Sequence, residues 1–267
     1  MKENLTDIIC IGAQKSSTSW LHHVINAHPK VQAFQGNKYT STNKEAHFWD
    51  WNYHRGIEWY KDLMKVDEGK LSIDFTPEYA LADEERVKEC KEYSPNAKVI
   101  YVLREPVCRA ISALRMYILR DKGEDSDFTL EYGDYFLEAV RKSRITRHSE
   151  YFKNYSTWSE HYDDMLVINY EDIRKNGAEV VDNLYKYLGL DFKDMNGVMR
   201  EEFSKRMQKK VWKSTEFEIS RDCKMFLEGM LYRNRNYFES AFELTFEEHK
   251  NLLTQKKRRT RTRKKKV

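Results

Sequence analysis

The sequence is poor in residues that interrupt regular structure, with four prolines and ten glycines in 267 positions. Pro29, Pro77, Pro95 and Pro106 fall where a helix or strand is expected to begin or end. No linker-like stretch divides the chain, and no internal repeat is visible. The four cysteines, Cys10, Cys90, Cys108 and Cys223, are scattered without a C-x-x-C pair. That spacing excludes a zinc ribbon or a disulfide framework and predicts free thiols in a reducing, cytoplasmic compartment. No apolar stretch approaches the roughly 20 residues of a membrane span. The N-terminal apolar run Ile8–Ala13 is too short for a secretion signal, so a soluble chain is expected.

A basic body is also missing. The formal net charge is +4, yet nine of the 47 Lys and Arg residues lie between Lys256 and Lys266, with no acid among them. Without that tail the chain has 38 basic against 43 acidic residues, a net of −5. Like charges repel and nothing apolar offsets chain entropy there, so residues 256–267 are expected to be a disordered appendage. Hydrophobic residues at 40% and aromatics at 13% suffice for a packed core in residues 1–255.

Short apolar runs alternate with longer helix-period segments, the pattern of a mostly parallel α/β sheet with crossover helices. Strands are expected at Asp7–Gly12, Val31–Phe34, Leu71–Asp74, Lys98–Arg104 and Met165–Tyr170. Helices are expected at Thr18–Asn26, Ile57–Met64, Asp83–Tyr93, Pro106–Arg120, Leu130–Ser143, Tyr155–Tyr162, Ala178–Leu188 and Asp222–Phe242. Past Leu190 the pattern weakens into a helical C-terminal part with a basic stretch, Lys205–Lys213.

Three segments offer chemistry. The run Gly12-Ala-Gln-Lys15-Ser16-Ser17-Thr18-Ser19-Trp20-Leu21 joins the first strand to the first helix. Helix-start N–H groups and the helix dipole favour an anion there, and four hydroxyls and Lys15 add donors. A serine-rich N-cap with a solvated lysine is the alternative. Nucleotide P-loops place Lys after a second glycine; here Lys15 precedes the hydroxyls, which argues against an ATPase or GTPase. In Lys98–Tyr117, Arg104 stands at the carboxyl end of a strand, where open α/β sheets bind ligands, and Ser112 lies two turns beyond Glu105. A guanidinium with a nearby hydroxyl can clamp a phosphate dianion, although an arginine at a strand end, taken alone, is more often a structural salt bridge. Finally, Asn43-Lys-Glu45-Ala-His47-Phe-Trp-Asp50 gathers three titratable groups among aromatics, as a proton-transfer site or as surface charges round an aromatic patch.

Together these segments resemble the sulfotransferases that use 3′-phosphoadenosine-5′-phosphosulfate. Lys15, Thr18 and Leu21 match their loop K-x-G-T-x-x-L, with Ser17 at its glycine; Arg104, Pro106, Arg109 and Ser112 match R-[DE]-P-x-x-R-x-x-S. The segment at Glu45 resembles K-E-x-H-F-F-D of the glycosaminoglycan sulfotransferases, particularly the heparan sulfate 3-O type. Gly56-Ile-Glu-Trp59-Tyr60 resembles G-x-x-W-Y. Asp74-Phe75-Thr76-Pro77-Glu78-Tyr79 resembles E-K-T-P-x-Y, with Phe75 at the family's lysine. The resemblance covers roughly residues 5–195.

It implies a three-layer, P-loop-NTPase-like fold forming one domain over 1–255, and sulfuryl transfer to a small-molecule or oligosaccharide hydroxyl. It assigns Glu45 as general base, Lys15 to the leaving phosphate, and His47 to a supporting role. The nucleotide falls to Lys15, Ser16, Ser17, Thr18, Ser19, Arg104 and Ser112, and the acceptor to Asp50 and Phe75. No metal is implied. Trp20, Trp212 and Phe217 are candidates for the adenine platform. A second function class is nucleic-acid or acidic-surface binding through the tail; the tail lacks interleaved aromatics and the body lacks a broad basic face, so nucleic acid is not the expected partner. A nucleotide kinase is a third, disfavoured by the position of Lys15.

Overall fold

The computed structural model describes residues 4–40, 42–122, 133–208 and 218–248. All five expected strands form: β1 (Ile8–Gly12), β2 (Val31–Ala33), β3 (Leu71–Asp74), β4 (Lys98–Leu103) and β5 (Met165–Asn169). They make one sheet, ordered β2-β3-β1-β4-β5, and every pairing is parallel.

β1 and β4 read as continuous apolar runs because a central parallel strand is covered on both faces. Ile9, Ile11, Val99, Tyr101 and Leu103 face one core with Trp49, Tyr60, Tyr79, Tyr151, Trp158 and Phe238. The alternate residues Ile8, Cys10, Ile100 and Val102 face the other. That second layer holds α1 (Thr18–Ile25) and α8 (Tyr170–Leu188), which contribute Leu21, Val24, Val181 and Leu184. The first face is covered by the segment 46–64 with α2 (Ile57–Leu63), by α3 (Glu84–Tyr93) and by α7 (Tyr151–Ser159). A helical third cluster joins α4 (Pro106–Lys122), α5 (Gly133–Arg141) and α10 (Arg221–Ala241).

The helical elements differ from expectation in four places. α7 runs from Tyr151 to Ser159, ahead of the expected Tyr155–Tyr162, with Tyr151 and Trp158 both facing the first core. α8 begins at Tyr170, straight out of β5, because the Asn169 side chain accepts from the Glu171 N–H and caps it; Asn176, at φ −134°, then bends it. Residues 143–146 form a separate short helix, α6 (Ser143–Thr146). α9 (Gly197–Gln208) was not legible: Phe203 is its one buried residue, and Met199 and Met207, four positions to either side, are only half-buried, a thin apolar stripe. It includes Lys205, while the rest of the basic stretch, to Lys213, lies outside the described residues. So do residues 130–132 of the expected Leu130–Ser143 helix, Trp212, Phe217 and the tail 256–267. The four cysteines are free thiols. Among the described residues no helix is long and apolar enough to cross a membrane.

Candidate active site

In a sheet of this order the chain leaves β1 toward β2 on one side and leaves β4 toward β5 on the other. The switch point therefore lies between β1 and β4, the crevice where such sheets bind ligands. The loop after β1 and Arg104 after β4 both emerge there. Gly12 must be glycine: its φ is +137°, and a Cβ would lie 2.9 Å from the Pro77 carbonyl oxygen. Beyond it Lys15 (φ 70°) and Ser17 (φ 68°) adopt left-handed backbone. Ser17 thus takes the conformation that favours the glycine of the matching motif. It is the N-cap residue of α1, yet its side chain caps no N–H. The Ser16 hydroxyl is buried without a hydrogen-bond partner among the described residues, and Thr18 is buried beside it. Burial lowers the Lys15 pKa, and so do the nearby Arg104, Arg120 and Arg109 charges. A concentration of cations with uncapped helix N–H groups is what an anionic ligand would complete.

Arg104 reaches this loop directly, its Nη1 donating to the Lys15 carbonyl at 3.0 Å. Its other donors engage Glu248: Nε to Oε2 at 2.8 Å and Nη2 to Oε1 at 3.0 Å. The guanidinium lies 4.5 Å from the Tyr170 ring centre. Burial opposes the charge on Arg104, but the Glu248 carboxylate prevails and raises its pKa. Ser112 sits on α4, largely buried. Arg109, although in register with the motif, turns away: it is fully buried, Nε donates to the Ser149 hydroxyl and Nη2 to the Ile145 carbonyl. Burial pushes its pKa down to about 10. Its work is to tie α4 to the 145–149 turn. Glu105 is structural as well, accepting from the Cys108 N–H at 2.6 Å and from Arg235 Nε at 2.8 Å.

The carboxylate–histidine cluster stands on the other side of β1. Asp74, fully buried at the end of β3, accepts from the hydroxyls of Tyr60, Tyr79 and Thr76 and from the Ala46 N–H. Thr76 Oγ1 in turn accepts from the His47 N–H at 3.2 Å, and the Tyr79 hydroxyl from the Phe48 N–H at 2.8 Å. Residues 46–48 are pinned by this network, and His47 is held at φ 52°, a strained conformation for a residue with a Cβ. Its imidazole stacks on Trp51, 3.9 Å between ring centres and 5° between planes. Nδ1 lies 2.9 Å from Asp50 Oδ2 and Nε2 lies 3.4 Å from Glu45 Oε2. Burial disfavours the imidazolium, but the hydrogen bonds to Asp50 and Glu45 outweigh it and raise the His47 pKa to about 10. Glu45 moves the opposite way: against its burial, His47 and Lys44 hold it down to about 2. Lys44 pairs with Glu45 and donates to the Phe75 carbonyl at 3.0 Å.

The expected residues Glu45, His47 and Asp50 are thus brought together. Phe75 is not brought to them through its side chain, which is fully buried and packs edge-on to His22, 5.4 Å between ring centres; only its carbonyl reaches the site, through Lys44. Trp20 is committed to packing, its indole N–H donating to the Met207 carbonyl at 3.2 Å and its ring lying over Gly177. Two contributors were not foreseen. Glu78, raised in pKa by burial, faces the cluster with Gln14 Nε2 3.0 Å from its Oε1. Glu45, His47 and Glu78 offer donor atoms within 4.8 Å of one another. Both His47 ring nitrogens are already engaged by carboxylates and the ring is held protonated, which suits proton handling better than metal ligation. Glu78 had a weak signal in the tight turn after Thr76-Pro77. Glu248 had none.

A parallel sheet whose switch point presents a hydroxyl-rich loop and an arginine, beside a carboxylate–histidine cluster, defines an α/β protein of the open-sheet class with cations gathered at the crevice. The comparisons make the family specific. The family model described as "Sulfotransferase domain" matches residues 5–259, and the chain belongs to that family. Mouse heparan sulfate glucosamine 3-O-sulfotransferase 3A1 is 28% identical over 192 residues, 70% of this chain and 47% of the relative. The human bifunctional heparan sulfate N-deacetylase/N-sulfotransferase 3 is 26% identical over 205 residues, 70% of this chain and 23% of that protein. The chain therefore spans about half or less of the length of these relatives. Among solved structures, a sulfotransferase from Alicyclobacillus acidocaldarius shares the fold with a TM-score of 0.65 at 17% identity, covering 92% of this chain and 98% of that one.

Proposed function

We propose that this protein transfers a sulfuryl group from 3′-phosphoadenosine-5′-phosphosulfate to an acceptor hydroxyl, with a carbohydrate as the acceptor class, within a single domain spanning residues 1–255. Family membership and the heparan sulfate enzymes among its relatives support the reaction class and the acceptor. The observation that carries the reading is the bond from Arg104 to the Lys15 carbonyl, which makes the loop and the arginine one anion site at the switch point. The residues fit the nucleotide: Ser16 buries a hydroxyl without a partner, Ser17 leaves the α1 N-terminus uncapped, and Lys15 and Arg104 supply the charge.

The donor supplies an activated sulfuryl group on its 5′-phosphate. In the reaction the acceptor oxygen bonds to sulfur as the bond from sulfur to the phosphate oxygen breaks, and the electron pair stays with the phosphate. Lys15, with the loop hydroxyls Ser16, Ser17, Thr18 and Ser19, is assigned to the charge that develops there. Arg104 and Ser112 are assigned to the 3′-phosphate. Glu45 takes the acceptor's proton. A carboxylate held near pKa 2 is a weak base, so it accepts that proton late, once bonding to sulfur has acidified the hydroxyl. His47 and Asp50 keep Glu45 ionised and aimed. The test is incubation with labelled donor and a panel of oligosaccharides, small alcohols and amines. Label moving to a sugar hydroxyl supports the reading. Label moving to none of the panel, together with no binding of 3′-phosphoadenosine-5′-phosphate, overturns it.

A further inference from the structure

The segment after α10 crosses the C-terminal ends of β4 and β5 as a strap. Phe246 is buried beneath it, the Thr245 carbonyl accepts from Asn169 Nδ2 at 3.3 Å, and the Glu248 N–H donates to Glu171 Oε1 at 2.8 Å. Lys175 Nζ adds an ion pair to Glu247 at 2.7 Å. So anchored, the strap projects one side chain, Glu248, into the anion site. Its Oε2 accepts from Arg104 Nε, and its Oε1 accepts from both Arg104 Nη2 and Arg174 Nη1, the latter at 3.2 Å. Two guanidiniums from different elements, Arg104 after β4 and Arg174 on α8, thus converge on one carboxylate beside the Tyr170 ring.

A carboxylate and a phosphate present the same fork to a guanidinium, but a phosphate brings a second negative charge. The neighbouring Glu171 and Glu247 are taken up by Lys175, so Glu248 alone meets the two guanidiniums, whereas a dianion balances the pair. Building on the assignment of Arg104 to the 3′-phosphate, we propose that Glu248 occupies the place of that phosphate, that the nucleotide enters by displacing it, and that Arg174 is a further phosphate ligand. The backbone anchors can stay in place, because only the Glu248 side chain has to swing out. A nucleotide without a 3′-phosphate leaves the carboxylate in place, so Glu248 is a competitor that only a 3′-phosphorylated nucleotide has to displace, and it holds the two guanidiniums in position until that nucleotide arrives.

Calorimetric titration of the full chain tests this, using 3′-phosphoadenosine-5′-phosphate and, as the ligand lacking the 3′-phosphate, adenosine 5′-phosphate. Glu248→Gln removes the competing charge and keeps the shape. It should tighten the first ligand about tenfold or more and leave the second within about twofold. Glu248→Ala serves as a second variant, with thermal unfolding as a check that each is folded. In the Glu248→Gln background, Arg174→Ala should weaken the 3′-phosphorylated ligand about tenfold. Weaker or unchanged binding in both Glu248 variants, with heat still evolved by the wild type, overturns the displacement alone and makes Glu248 a group that positions Arg104. Equal gains for both ligands also overturn it, and no effect of Arg174→Ala removes Arg174 from the site. If neither wild type nor variants evolve heat with 3′-phosphoadenosine-5′-phosphate, the nucleotide reading itself falls.

Discussion

Arg104 and Lys15 stand 89 residues apart in the chain and are joined by one hydrogen bond, from the Arg104 guanidinium to the Lys15 carbonyl, 3.0 Å long. The bond fixes the left-handed loop against the end of β4. One side chain thereby has two purposes in the proposed function, holding the loop and offering charge to the nucleotide.

Arg104→Ala removes both. Losing a charge-assisted clamp costs on the order of 2–3 kcal/mol, so 3′-phosphoadenosine-5′-phosphate should bind about 30- to 150-fold more weakly by calorimetry. Arg104→Lys keeps charge without the fork and should recover only part of the loss. Full affinity in the alanine variant would remove Arg104 from the nucleotide site.

Glu45→Gln separates binding from turnover. The amide keeps the shape but cannot take a proton, so nucleotide affinity should hold while the rate falls about 10²- to 10⁴-fold, the usual contribution of a positioned base. A variant that retains its rate would transfer the role to another group, with Glu78 the nearest carboxylate outside the His47 pairings.

His47 should remain protonated through neutral pH, because its pKa stands at about 10 against an ordinary 6.5. The stability this contributes is fully present below pH 6.5 and is lost as pH rises from there to about 10. Glu45, at about 2 against 4.5, contributes stability that is present above pH 4.5 and lost as pH falls toward 2. NMR titration of the His47 ring should show its midpoint well above 8 in the wild type and clearly lower in Asp50→Asn. A midpoint near 6.5 in both proteins would refute the paired arrangement.

The two strained positions of the first loop should respond in opposite directions to small substitutions. Ser17→Gly relieves a left-handed residue at the cost of chain entropy and should be neutral or stabilising by up to about 1 kcal/mol. Gly12→Ala places a Cβ 2.9 Å from the Pro77 oxygen at φ +137° and should destabilise by more than about 1 kcal/mol. Thermal melts of the two variants decide it; destabilisation by Ser17→Gly or tolerance of Gly12→Ala contradicts the loop geometry.

Sequence by itself determined the five strands, since a run such as Ile8–Ile11 or Val99–Leu103 has no stable place other than a sheet covered on both faces. It also set Lys15 and Arg104 beside strand ends, while Glu45, His47 and Asp50, in the long stretch between β2 and α2, stood out through the family resemblance. It offered little view of α9, whose apolar stripe is only Met199, Phe203 and Met207 among charged residues. Only the tertiary structure decided what each charge faces. Arg104 and Arg109, five residues apart and equally plain in the motif, part company: the first turns to the loop and Glu248, the second into the core against Ser149. Phe75 looked like a site residue and is a core residue, while Glu248 comes to the arginine from 144 positions away. Apolar burial follows period and can be read along one element. A charge's partner is set by short-range geometry between elements, and folding alone brings those elements together.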